Sequence, residues 1–165
     1  MSSQARFVSQ LSEAGRVHID AGVLALHLLG DPSYLDLTRL LFSSLRTGAC
    51  AAQTSVISIY QIGVEPYRRG EDGLAAKVCT HISALPGLEI IPLSGVIATQ
   101  AAQVKAQLGG RTERAIQIAT ALVSDANAYL TQHSGFRRIA GMSVMSLDSF
   151  VSKAPAQTPL SAARS

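Results

Sequence analysis

VHIDAGVLALHLLG, residues 17–30, places a single aspartate between a short β-branched run and a leucine-rich segment. The alternation of Val17 and Ile19 predicts a buried strand, and the apolar residues that follow predict a helix. Asp20 therefore marks the end of a strand and the start of a helix. It either caps that helix or belongs to a functional site, because ligands of parallel α/β sheets bind at the carboxyl ends of the strands.

The composition indicates one folded domain. The chain has 165 residues, 47% of them hydrophobic and 15% charged. Its net charge of +3 is a weak indication of an anionic partner. Eight Tyr and Phe residues and no Trp argue against a surface that stacks several bases. The first residues do not resemble a signal peptide and no segment has the length of a membrane span, so we expect a cytoplasmic protein with no membrane contact.

Short apolar runs alternate with helical periodicity along the chain. This alternation predicts a three-layer α/β/α sandwich with a mostly parallel central sheet. We expect an N-terminal arm over residues 1–16, either loose or a short helix, one domain over residues 17–151, and a disordered tail over residues 152–165. Strands are predicted in RVHID, ACAAQTS, LEIIPL, NAYLT and MSVMSLDSF, with helices between them.

Cysteine and histidine residues show no familiar metal-binding spacing. Cys50 and Cys79 lie in apolar segments without a CxxC pair, which predicts buried, reduced thiols. His18 and His27 are predicted to be packing residues, and His81 to face the solvent. No glycine-rich phosphate-binding loop is present, since LGGRT lacks the required spacing.

Four segments, in this order, resemble the PIN-domain family: VHIDAGVLALHLL, QTSVISIYQIGVEPYRRG, RTERAIQIATAL and AYLTQHSGFRRI. The resemblance covers residues 16–151. It implies the fold of a metal-dependent nuclease, commonly a ribonuclease and often the toxin of a toxin–antitoxin pair. The family gathers three or four carboxylates at the strand ends around Mg²⁺ or Mn²⁺, which prefer oxygen ligands and activate water for phosphodiester cleavage.

Compared position by position with that family, the sequence retains one carboxylate. Asp20 stands at the first acidic position, whereas Gln61, Arg114 and His133 stand at the second, third and fourth. Gly135 occupies a further position that is often acidic. A positive charge about 6 Å from a dication costs roughly 5 kcal/mol at an effective dielectric constant of about 20. The resemblance therefore implies a degenerate site that binds no metal tightly.

A rearranged catalytic site is the alternative. Asp20 and Glu113 would then act with His133, and Asp20 with His133 would be the metal ligands, a set that suits Mn²⁺ or Zn²⁺ better than Mg²⁺. Glu65 is a further candidate, one helical turn beyond the second family position. The interpretation we favour is that Asp20 caps its helix and pairs with Arg114.

Three functions follow from these residues. The first is a non-catalytic module that binds RNA, or a protein such as an antitoxin. The second is a Mg²⁺- or Mn²⁺-dependent endoribonuclease, possibly a toxin, with a rearranged site. The third is an assembly role, with a homodimer formed through the leucine-rich helix at residues 35–45. For the first function the candidate phosphate-binding residues are Arg111, Arg114, Arg137 and Arg138.

Overall fold

A parallel sheet of five strands organises the computed structural model, which describes residues 1–133 and 138–151. The strand order is β3-β2-β1-β4-β5. The strands are β1 (Arg16–Ile19), β2 (Ala51–Ser55), β3 (Leu88–Ile91), β4 (Ala128–Thr131) and β5 (Ser143–Ser146). The helices of the described residues are α1 (Ser3–Ala14), α2 (Ala21–Leu29), α3 (Leu35–Arg46), α4 (Ile57–Arg68), α5 (Asp72–Ser83), α6 (Gly95–Leu108) and α7 (Thr112–Val123).

Helices cover both faces of the sheet, which confirms the predicted α/β/α sandwich. On one face, Val17 and Ile19 of β1 pack with apolar residues of α1 to α5. On the other face, Tyr129 of β4 packs with α6 and α7 through residues such as Val104 and Ile118. Alternate side chains of a strand point to opposite faces. Each buried strand therefore contributes to both cores.

The register places the ends of β1 and β4 side by side. His18 of β1 pairs with Gln53 of β2 and with Tyr129 of β4, all in parallel. Just beyond β1, the amide of Asp20 donates to the carbonyl of Leu130 at 3.0 Å. Because all strands are parallel, the residues that follow them meet at one edge of the sheet.

The N-terminal segment is not an arm. Residues 3–14 form α1, which is the helical alternative, and its Phe7 and Leu11 are completely buried in the main core. These two residues lie four positions apart and therefore share one helix face. The predicted tail at residues 152–165 lies outside the described residues.

Prolines mark the ends of two helices less sharply than their local chemistry predicts. The Asp31-Pro32 pair is typical of a helix start, yet α3 begins at Leu35, and the Asp31 carboxylate accepts a hydrogen bond from the amide of Ser33 at 2.9 Å. Helix α4 continues through Pro66 to Arg68. The missing amide of a proline removes one hydrogen bond, and only two residues of the helix follow it.

The leucines of α3 do not form an exposed interface. Leu37, Leu41 and Leu45 are at most 5% exposed and belong to the core of this chain. Side chains that are already buried cannot pack against a second copy, so these three leucines do not supply a dimer interface, and the dimer itself stays a prediction. None of the helices among the described residues is long and apolar enough to cross a membrane.

Candidate functional site

Asp20 lies in a cleft at the carboxyl edge of the sheet. Its extended backbone occupies the N-cap position of α2, and its carbonyl accepts hydrogen bonds from the amides of Val23 and Leu24 at 3.1 and 3.3 Å. The carboxylate makes no well-formed capping hydrogen bond, although the amides of Ala21 and Gly22 lie close enough to lower its pKa. It accepts one instead from the Thr131 hydroxyl, 3.3 Å away. Asp20 thus links the ends of β1 and β4.

The electrostatic environment of Asp20 includes one nearby cation. Burial raises the pKa of Asp20, while the Thr131 hydroxyl, two backbone amides at the start of α2 and the positive charge of Arg114 lower it. Burial is the largest of these effects, so the net shift is upward. Burial and the negative charge of Asp20 both raise the pKa of the Tyr129 phenol, so Tyr129 also lies close to Asp20. Arg114 therefore supplies positive charge where the family resemblance implies a metal.

Gln61, at the second family position, is held by Gln117 of α7. The Gln117 amide nitrogen donates to Gln61 Oε1 at 2.9 Å and to the Ser58 hydroxyl at 2.7 Å. Gln117 is fully buried between α7 and the sheet. The sequence interpretation missed Gln117, although a polar residue among Ala115, Ile118 and their apolar neighbours was a usable signal.

Gln117 belongs to a buried chain of hydrogen bonds that crosses the domain. Its Oε1 lies 2.7 Å from His18 Nε2. On the other side of His18, Nδ1 lies 3.4 Å from Gln53 Nε2, and Gln53 Oε1 accepts from Arg16 Nε at 2.8 Å. His18 stacks on Tyr129 with ring centroids 5.2 Å apart. His18 is thus a fully buried polar link rather than only a packing residue.

The hydrogen bonds of this buried network have a fixed donor-to-acceptor direction. A guanidinium can only donate hydrogen bonds, so Arg16 fixes Gln53 with its oxygen toward Arg16 and its amide nitrogen toward His18. His18 then donates to Gln117, and Gln117 donates to Gln61. The Gln61 oxygen is consequently occupied, and its amide nitrogen has no partner among the residues that the structure describes. Gln61 therefore presents donors, whereas a glutamate would present an acceptor oxygen.

The remaining candidate residues, His133, Glu113 and Glu65, lie in different surroundings. His133 is exposed, two residues beyond the end of β4. Glu113 lies in the first turn of α7, four residues before Gln117 and so on the same helix face. Glu65 is engaged by Arg68 at 2.6 Å and Arg69 at 3.3 Å on the surface.

The predicted phosphate-binding arginines come from two segments of the chain, the start of α7 and the stretch after β4. Arg111 is exposed and lies 3.9 Å from Glu113, while Arg114 lies near Asp20. Arg138 is exposed and follows the undescribed stretch after β4. Arg137 and Gly135 lie outside the described residues.

The residues present do not fit a divalent metal. Within residues 1–133 and 138–151, no three His, Cys, Asp or Glu side chains could together hold an ion. Hard cations require several oxygen ligands. Arg114 instead places positive charge near Asp20. The amide donors of Gln61 share a groove with Ala21 and Gly22, the residues next to Asp20, and they also oppose a cation.

An apolar groove of about 750 Å³ runs beside the cleft, between α2, α4 and α5. Leu29, Tyr60 and Leu74, which line it, are 82%, 58% and 49% exposed. Exposed apolar side chains that gather in one concavity are typical of an interaction site. The groove also contains Ala25, Leu28, Val64, Val78, Gln61, Glu65, Arg68, Arg69, Glu71, Arg111 and Glu113.

Comparisons with known proteins identify the fold. No protein-family model matches the chain, and no curated protein matches it. The chain is similar to the VapBC2 structure from Rickettsia felis bound to a DNA fragment from its promoter, with 13% identity, a TM-score of 0.62 and coverage of 79% of this chain and 98% of that one. A toxin–antitoxin complex from Klebsiella pneumoniae matches with 16% identity, a TM-score of 0.56 and coverage of 79% and 97%. The chain therefore has the PIN-like fold predicted from its four sequence segments, the fold found in toxin–antitoxin complexes.

Proposed function

We propose that this chain is a non-catalytic PIN-like module that binds a protein partner in an assembly of the toxin–antitoxin type and holds no metal tightly. The observation that carries the proposal is the composition of the strand-end cleft. Asp20 is the carboxylate at its centre, with the charge of Arg114 beside it. Members of a catalytic unit lose activity together, so replacing three of four carboxylates leaves little hydrolysis.

The apolar groove supports a protein partner rather than a nucleic acid as the ligand beside this cleft. Its floor is aliphatic and aromatic, and its rim has three acidic and three arginine side chains that largely pair with each other. A polyanion would meet no net positive charge there. An apolar peptide segment would bury Leu29, Tyr60 and Leu74. Full burial of an exposed leucine side chain contributes about 1.5–3 kcal/mol.

Incubation of the protein with labelled single-stranded RNA and Mn²⁺ or Mg²⁺, beside an Asp20→Asn variant, tests the absence of catalysis. We expect both proteins to leave the RNA intact, or to share one background rate. Cleavage by the natural chain that disappears in the variant would refute the proposal.

Restoring the carboxylates gives a positive control. The triple variant Gln61→Glu, Arg114→Asp, His133→Asp should bind Mn²⁺, whereas the natural chain should not. At a Mn²⁺ concentration 100 times the dissociation constant, binding stabilises the variant by about 2.7 kcal/mol, a rise of roughly 5–10 °C in Tm. Gln61→Glu alone serves as a matched control. An equal rise in the natural chain would contradict the proposal.

Co-expression with the product of the gene encoded beside this one tests the protein partner. We expect co-elution, and its loss in a Leu29→Glu variant, because a buried unpaired carboxylate is costly. Val96, which is 67% exposed and lies outside the groove, provides the matched control variant Val96→Glu. Equal effects of the two variants would argue against the groove.

A metal-dependent ribonuclease remains the second candidate. Both structural neighbours are toxin–antitoxin proteins, and Glu113 shares a helix face with Gln117, which contacts Gln61. Under this alternative Asp20, Glu113 and His133 act together. Loss of cleavage in both Asp20→Asn and Glu113→Gln variants would establish it.

A further inference from the structure

A second concavity, of about 720 Å³, lies on the surface formed by α2 and α3, away from the apolar groove. Two arginines of α3, Arg39 and Arg46, line it together with Ser43 between them. His27 of α2 contributes its imidazole, which contacts the Phe42 ring at a centroid distance of 4.2 Å. The remaining lining residues are Gln4, Asp36 and Leu40.

These two arginines differ in their ion pairing from four other arginines of the described residues. Among residues 1–133 and 138–151, Arg16, Arg68, Arg69 and Arg111 each lie within 4.0 Å of a carboxylate. Arg39 and Arg46 are exposed and make no such contact within the same residues. Their positive charge is therefore available to an external anion.

Other basic side chains lie near this surface. His27 is half-buried, and after burial itself the charges of His81, Arg39 and Arg46 are what lower its pKa. His81 of α5 therefore lies near the same concavity. Basic residues in the last turn of a helix also offset the helix dipole, which accounts for His27, Arg46 and His81 individually. It does not account for Arg39, which lies in the middle of α3.

We propose that this concavity binds the phosphodiester backbone of a nucleic acid through Arg39 and Arg46. Guanidinium groups bind phosphate oxygens in a bidentate manner. The two arginines are seven residues apart on one helix, which places their Cα atoms about 10.5 Å apart along the axis.

The spacing favours a polymer over a small anion. Two guanidinium groups that far apart suit two phosphates of one chain better than a single phosphate. Among residues 1–133 and 138–151, none of the large exposed apolar side chains lines the concavity, so its lining lacks the apolar anchor of a membrane-binding face. The proposal goes beyond the protein-binding function and does not depend on it.

Fluorescence anisotropy with a labelled single-stranded RNA, and with a duplex DNA of the same sequence, tests the proposal. In the RNA arm, each phosphate contact contributes about 0.7 to the slope of log affinity against log salt, and for duplex DNA about 0.9. The double variant Arg39→Ala, Arg46→Ala should lower the RNA slope by about 1.4. A slope difference of 1.4 means that, on going from 1 M to 0.1 M salt, the natural chain gains about 25-fold more affinity than the double variant.

Two matched variants complete the experiment. Arg68→Ala with Arg69→Ala removes the same charge from arginines that are already paired with Glu65, and should leave binding nearly unchanged. Asp36→Asn removes the carboxylate of the concavity and should tighten binding several-fold. Equal losses in the two double variants, or no binding of either nucleic acid by the natural chain, would overturn the proposal. Melting temperatures confirm that each variant is folded.

Discussion

Replacing His18 should remove much of the pH dependence of stability between pH 7 and pH 5. Burial lowers the pKa of His18 from 6.5 to about 4, against the smaller opposing effect of its hydrogen bond to Gln117. Below pH 6.5 the unfolded chain takes up a proton that the folded chain excludes. The free energy of unfolding therefore falls as the pH decreases from 6.5 toward 4.

The magnitude follows from the size of this shift. Each unit of pKa corresponds to 1.36 kcal/mol, so the full effect of His18 is about 3 kcal/mol and the part lost between pH 7 and pH 5 is about 2 kcal/mol. For a chain of this length, 2 kcal/mol corresponds to roughly 4–8 °C in Tm. Asp20 acts in the opposite sense, because its folded pKa is raised.

Urea unfolding followed by far-UV circular dichroism suits a chain without Trp and gives the free energy of unfolding at pH 5, 6 and 7. The His18→Gln variant retains a donor to Gln117 and should lose about 2 kcal/mol less than the natural chain between pH 7 and pH 5. His81→Gln, at an exposed position, controls for the loss of a histidine. Parallel curves for the natural chain and His18→Gln would refute the argument.

Two further predictions concern stability. The pKa of Asp20 is raised in the folded state, so its ionisation lowers the stability of the folded chain as the pH rises above 3.8. The Tm of Asp20→Asn minus that of the natural chain should therefore be larger at pH 7 than at pH 4. An equal difference at the two pH values would contradict this. Gly87 has φ +75°, and an added Cβ would lie 2.9 Å from Leu45 Cβ and 3.0 Å from the Leu45 carbonyl oxygen. Gly87→Ala should therefore lower the free energy of unfolding by at least ~2 kcal/mol, against about 1 kcal/mol for Gly30→Ala. Gly30 has a similar φ of +64°, but a Cβ added there would meet no atom within 4 Å. Equal costs would show that the contact with Leu45 is not limiting.

Local patterns predicted the elements of this fold well but predicted their partners less well. The alternation in β1 and the Asp20 that ends it could be recognised from the sequence, because strand periodicity is a property of neighbouring residues. The apolar face of α3 could also be recognised, yet it packs against the core of its own chain. Periodicity shows which side of a helix is apolar and does not show what covers it. The same limit explains the N-terminal helix, whose Phe7 and Leu11 are buried by contacts with distant residues.

The amino-acid sequence by itself determined which residue types stand at the positions that the resemblance to the PIN family marks as the site. By that resemblance Asp20 stands at the first acidic position, and Gln61, Arg114 and His133 stand at the other three. The tertiary structure decided how these groups are oriented. Gln117 lies 99 positions from His18 and 56 from Gln61 along the chain, so no local pattern could join them. Burial made the difference, because a polar group removed from water must find its hydrogen-bond partner within the fold.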